Sequence, residues 1–157
     1  MDEPKIVPMH RGEAPCEKYA WGDIHWLSSK AANGARELTL ANTIVETGGK
    51  NPLHRHPNCE EVLYVVSGEV EHFVEGTPKV RMKGGDAILI PRNRIHQAVN
   101  IGRGPAELLV AFSSAERETV IEAERLNLVP INTPAASPES NGMSEAFVNT
   151  LRRDYVD

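Results

Sequence analysis

Between residues 21 and 112 the chain is cut into short alternating or apolar runs by Gly, Pro and Asn at even intervals. That punctuation leaves an all-β barrel or sandwich as the expected fold. Strands are expected over residues 21–27, 36–46, 53–56, 62–66, 70–75, 79–82, 87–90, 95–100 and 106–112. Helical periodicity is nearly absent there. The breaks fall at Gly48-Gly49, Pro57-Asn58, Ser67-Gly68, Gly76-Thr77-Pro78, Gly84-Gly85-Asp86 and the stretch from Gly102 to Pro105. Each offers a positive φ or a proline-fixed φ for a turn.

The pattern changes after Phe112. Ser113 followed by Glu116 reads as a capping box ahead of a charged helix. Pro130, Pro134 and Pro138 among Ser, Ala and Asn read as an extended linker. Met143, Phe147, Leu151 and Tyr155 recur every four residues, as on a short helix that must dock on something, either its own barrel or a second subunit. The expected organisation is an N-terminal arm (1–20), a β-barrel (21–112), a C-terminal helix (113–126), a linker (127–142) and a short terminal helix (143–157).

A chain of 157 residues buries roughly two-thirds of its unfolded surface, so a core without disulfide staples is expected. Cys16 and Cys59 are expected to remain thiols. With 17 Lys plus Arg against 22 Asp plus Glu, the chain has no basic stripe to neutralise phosphates, which argues against nucleic acid or an anionic membrane as partner. No run approaches the ~20 apolar residues of a membrane span, and the start lacks a signal pattern. A cytoplasmic location is the expectation.

Four side chains carry the chemistry. His54 and His56 are two residues apart on an expected strand, so they project from one face with backbones roughly 7 Å apart. Pro57-Asn58 turns the chain, and Glu61 opens the next strand, where antiparallel pairing is expected to return its carboxylate to the two imidazoles. His96 arrives from a later strand, and barrel closure makes that long separation short in space. Glu61 is preferred to Glu60 by its spacing to Gly68. Three imidazoles and a carboxylate suit divalent Fe, Mn, Co, Ni, Zn or Cu rather than Ca or Mg. Four protein ligands leave two positions of an octahedral shell open, as a catalytic site requires. With one carboxylate the centre stays cationic, favouring a small anionic ligand.

Other candidates are weaker. His10 and His25 are expected to be solvated or hydrogen-bonded, and His72 to be as readily outward as inward. Cys59, beside the Pro57-Asn58 turn, is expected to point away from the lumen. Arg55, Arg92 and Arg94 flank the ligands and are candidates for holding an anion at the barrel mouth. Asn42 and Trp26 are candidate lining residues.

The ordered segments G-x5-H-x-H-x4-E-x6-G (Gly48 to Gly68) and G-x5-P-x-N-x2-H-x3-N (Gly85 to Asn100) resemble the two sequence motifs of the cupin superfamily. The departure is Asn93, where the family pattern has glycine; Asn is the next most tolerant residue of positive φ, so the turn can form. The resemblance covers residues 38–112. It implies a jelly-roll β-barrel, often a homodimer, with a metal held by His54, His56, Glu61 and His96, as in small bacterial single-domain cupins.

Such scaffolds host unrelated reactions. By analogy with quercetin dioxygenase-like cupins, the leading expectation is a dioxygenase-like oxidoreductase on a small enolate or phenolate, with Glu61 doubling as proton acceptor. The alternatives are a redox-neutral isomerase or lyase, a non-catalytic small-molecule binding protein, and a purely structural metal site.

Overall fold

Burial alternates residue by residue along several of the strands, as expected when a strand gives one face to a shared interior and the other to the outside. In Glu61–Ser67 the buried residues are Glu61, Leu63 and Val65; in Ala106–Phe112 they are Ala106, Leu108, Val110 and Phe112. The computed structural model describes residues 3–122. In chain order the strands are β1 (Cys16–Tyr19), β2 (Gly22–Ser28), β3 (Thr39–Val45), β4 (His54–Arg55), β5 (Glu61–Ser67), β6 (Glu69–Val74), β7 (Val80–Lys83), β8 (Ala87–Ile90), β9 (His96–Asn100), β10 (Ala106–Phe112) and β11 (Val120–Ile121). A 3₁₀ turn (Arg11–Glu13) and a single helical turn, α1 (Lys30–Asn33), complete the described elements.

The strands form two antiparallel sheets, one in the order β1-β2-β3-β10-β5-β8 and the other β11-β4-β9-β6-β7. Their facing sides enclose a core that includes Val45, Leu63, Val65, Val70, Ile90, Ala98, Leu108 and Val110. The all-β expectation holds, and the expected strands all form within a few residues of their expected limits. No helix among the described residues is long and apolar enough to cross a membrane.

Two turn positions explain why the spacing is so strict. Gly68 sits at φ 85°, and a Cβ there would lie 2.8 Å from the Ala106 Cα. Asn93 adopts φ 66°, the one positive-φ non-glycine among the described residues, so the motif's glycine position keeps its left-handed turn with asparagine. The Asn93 amide donates to the His56 carbonyl at 2.9 Å, and its side-chain oxygen accepts from Arg55 Nη1 at 2.6 Å.

The helix expected from Ser113 does not form over residues 113–122. The Ser113 hydroxyl accepts from the Glu60 amide at 3.0 Å instead of capping a helix. The Glu116 amide donates to Ser114 Oγ at 3.2 Å, and β11 then pairs with β4. Local capping potential is overridden because the segment satisfies its donors and acceptors on neighbouring loops and on a sheet edge. The expected N-terminal arm also contributes structure, since β1 pairs with β2 at the edge of the six-stranded sheet. Residues 123–126, the linker at 127–142 and the apolar stripe at 143–157 lie outside the described residues.

Candidate metal centre

His54, His56, Glu61 and His96 meet inside the fold, each offering a ligand atom within 4.8 Å of the others. His54 on β4 is the direct register partner of His96 on β9, and their rings are 4.2 Å apart. His56 follows β4, its ring 5.0 Å from that of His54. Glu61 arrives by a different route from the expected pairing: β5 belongs to the opposite sheet, between β10 and β8, so the carboxylate reaches across the interior. His56, Glu61 and His96 are buried and His54 is half-buried.

Ring orientation decides which nitrogen faces the centre. Nδ1 of His54 lies 2.8 Å from the Pro52 carbonyl, Nδ1 of His56 2.8 Å from that of Glu118, and Nδ1 of His96 2.9 Å from that of Arg94. A carbonyl can only accept, so each Nδ1 carries a proton, and in the neutral form of each imidazole it is Nε2 that is left with its lone pair. Nε2 of His56 and of His96 lie 3.1 and 3.0 Å from Glu61 Oε2. Two lone pairs and a carboxylate converging at that range repel one another unless a cation or an added proton stands among them. Backbone carbonyls fixing Nδ1–H are the usual support of a metal-binding histidine.

The electrostatics agree. Burial alone would raise the Glu61 carboxyl, but the His56 and His96 bonds hold it well below its ordinary range. Burial works against a charged His96, yet the hydrogen bond and charge of Glu61 raise it. His54 is pulled well below its ordinary value by burial and then by His96. One protonated imidazole, that of His96, is thus favoured beside Glu61, and protonation of His54 is resisted.

The surroundings correct several expectations. His72 faces inward and is 1% exposed, stacked 5.9 Å from the His96 ring with neither nitrogen hydrogen-bonded. It is outside the four-residue group, and burial lowers its pKa to about 4, with His96 adding to the shift against the pull of Glu61. Cys59 stays outside the four-residue group, in line with the expectation, but it is 1% exposed, and burial pushes its thiol up. Both cysteines are free thiols. Arg55 is held by Glu122 and Asn93, and Arg92 and Arg94 are exposed. Asn42 lies on the face opposite its buried neighbours Ala41 and Thr43, donating to Glu107 at 2.8 Å. Trp26 is paired with Ala41 and so shares the inner face.

An arginine that stands near the centre is Arg117, within a run that reads as a charged helix in sequence. Its guanidinium lies 4.8 Å from the Trp26 ring and 5.0 Å from the Phe112 ring, and Phe112 is 5.0 Å from His56. Thr119 Oγ1 contacts both Arg117 Nη1 and, at 3.3 Å, His56 Nδ1. Burial lowers the guanidinium from its ordinary value against the attraction of Glu61. No local signal marks this residue, because the loop after β10 brings it there.

Comparison with known proteins agrees with this architecture. Residues 42–112 match the cupin domain family. The chain is 38% identical over 82 residues to germin-like protein subfamily 3 member 3 of Arabidopsis thaliana, covering 50% of this chain and 39% of that protein. It is 65% identical over 40 residues to an uncharacterized protein of insertion element IS136 from Agrobacterium fabrum, covering 26% of this chain and 20% of that protein. The chain thus spans well under half the length of these relatives. The formate complex of Lactobacillus farciminis oxalate decarboxylase superimposes with a TM-score of 0.66 at 25% identity, covering 73% of this chain and 36% of that chain. The matched domain, the paired sheets and these relatives together place residues 42–112 of the chain in the cupin superfamily.

Proposed function

We propose that His54, His56, Glu61 and His96 hold a divalent transition metal, drawn from Fe, Mn, Ni, Co, Zn and Cu, and that the protein is a metal-dependent enzyme acting on a small anionic organic substrate. The observation that carries this reading is the convergence of Nε2 lone pairs on the Glu61 carboxylate, with every Nδ1 tied to a carbonyl. The ion, when bound, supplies Lewis acidity and open coordination positions for substrate oxygen. The chain supplies the rest. Trp26, Phe112 and Arg117 form an aromatic and cationic wall on the His56 side, suited to a carboxylate, enolate or phenolate. Glu61 is ionised, as a proton acceptor must be.

The reaction class we favour is dioxygenase-like oxidation. A redox-neutral lyase is the second reading, favoured by the likeness to an oxalate decarboxylase bound to formate. The test is elemental analysis of protein purified without chelator, followed by oxygen-uptake and carbon dioxide-release screens on small carboxylates and phenolates. Oxygen uptake selects the first reading, and gas release without oxygen uptake selects the second. A site that binds no divalent metal ends both.

We also propose a homodimer. The outer face of the six-stranded sheet exposes Val62, Tyr64, Val66 and Leu89 at 42, 41, 44 and 56%, an apolar row of the kind that marks association surfaces.

A further inference from the structure

We propose that Cys16, Asp23 and His25 form a second metal site, for a borderline divalent ion such as Zn(II) or Co(II), on the N-terminal hairpin. The three ligand atoms lie within 4.8 Å of one another. The hairpin register places Cys16 directly opposite His25, while Asp23 shares the His25 face two residues along β2. That face is opposite the one carrying Trp26, whose partner Ala41 is buried, so the cluster is separate from the metal centre in the interior.

The distances suit one tetrahedral ion. His25 Nε2 is 3.7 Å from Cys16 Sγ and 3.2 Å from Asp23 Oδ1. Bond lengths of about 2.3 Å to sulfur and about 2.1 Å to nitrogen and oxygen set the corresponding edges at about 3.6 and 3.4 Å. The Asp23 Oδ1 atom is buried and makes no hydrogen bond beyond its contact with His25 Nε2.

The same geometry argues against a cysteine nucleophile with a histidine base. In such an arrangement the carboxylate orients the imidazole from Nδ1, the nitrogen remote from the thiol. Here thiol and carboxylate approach the same nitrogen, which a shared cation satisfies and a proton relay does not use. One sulfur, one nitrogen and one oxygen donor favour Zn(II) or Co(II) over Mg(II), Ca(II) or Mn(II). Binding breaks the S–H bond, releases that proton to solvent and forms the metal–sulfur bond. Three protein ligands leave a fourth position for water or an exogenous ligand, and the ion would cross-link β1 to β2.

Co(II) titration of the full chain under a phosphine reductant tests the site, because thiolate ligation gives a near-ultraviolet charge-transfer band that the thiol-free interior site cannot produce. The band is expected in the wild type and in His96→Ala, and lost in Cys16→Ser and His25→Ala. Asp23→Asn should weaken its Co(II) affinity by about tenfold or more, the scale of losing even a supporting group. Cys16 is exposed, so Cys16→Ser is expected to fold, with circular dichroism as the check. Absence of a thiolate band at saturating Co(II), or a band that survives Cys16→Ser and disappears in Cys59→Ala, would overturn the proposal.

Discussion

Nε2 of His96 lies 3.0 Å from Oε2 of Glu61, a buried contact that joins the two sheets across the interior. In the metal-free protein the contact is an ion pair between the depressed Glu61 value and the raised His96 value. Its stabilisation is lost as pH falls through the first, which protonates Glu61, and as pH rises through the second, which neutralises His96. Glu61→Gln is expected to lower the His96 titration midpoint, read from its ring resonances in chelated protein. It should also weaken divalent metal binding by about a hundredfold or more, measured calorimetrically. An unchanged metal affinity would remove Glu61 from the ligand set.

His72 carries a separate pH signature. Its imidazole is held neutral by burial at about 4, against 6.5 unperturbed. The unfolded chain therefore binds the proton more readily than the fold. Stability from this residue is fully present above about 6.5 and is lost as pH falls towards about 4, to a total of roughly 3 kcal/mol. His72→Leu should flatten the pH dependence of denaturant midpoints by that amount, and an unchanged slope would contradict the buried placement.

Arg117 is expected to set affinity for anions. In metal-loaded protein, Arg117→Met should weaken binding of a small carboxylate by about tenfold or more, the scale of one charge-assisted hydrogen bond. Arg117→Lys should recover only part of it, because the planar stack on Trp26 and Phe112 is lost. Equal binding by all three proteins would place the substrate elsewhere.

Asn93 offers a backbone test. Asn93→Gly and Asn93→Ala both forfeit the bond from Arg55, so their difference reports the φ of 66°. The glycine variant should be more stable by about 1 kcal/mol in chemical denaturation.

Val62 and Leu89 are register partners on the exposed sheet face. If that face joins two copies, Leu89→Arg should convert a dimer into a monomer by sedimentation, with the spectrum of the folded chain retained. A monomeric wild type would refute the interface.

The chain's own pattern determined the strands, the turns and the identity of the four metal-site candidates, because strand parity and turn chemistry are local and recur at fixed spacing. Asn93 could be read in advance for the same reason, since tolerance of positive φ belongs to the residue. What the three-dimensional fold alone decided was which sheet each strand joins and what each side chain meets there. Glu61 crosses from the opposite sheet, His72 turns inward, Cys59 is buried and Arg117 reaches the centre from a loop that reads as a helix. The pairing of Cys16 with His25 belongs to that second group, because register and facing distances are properties of packed strands and leave no period in the residues themselves.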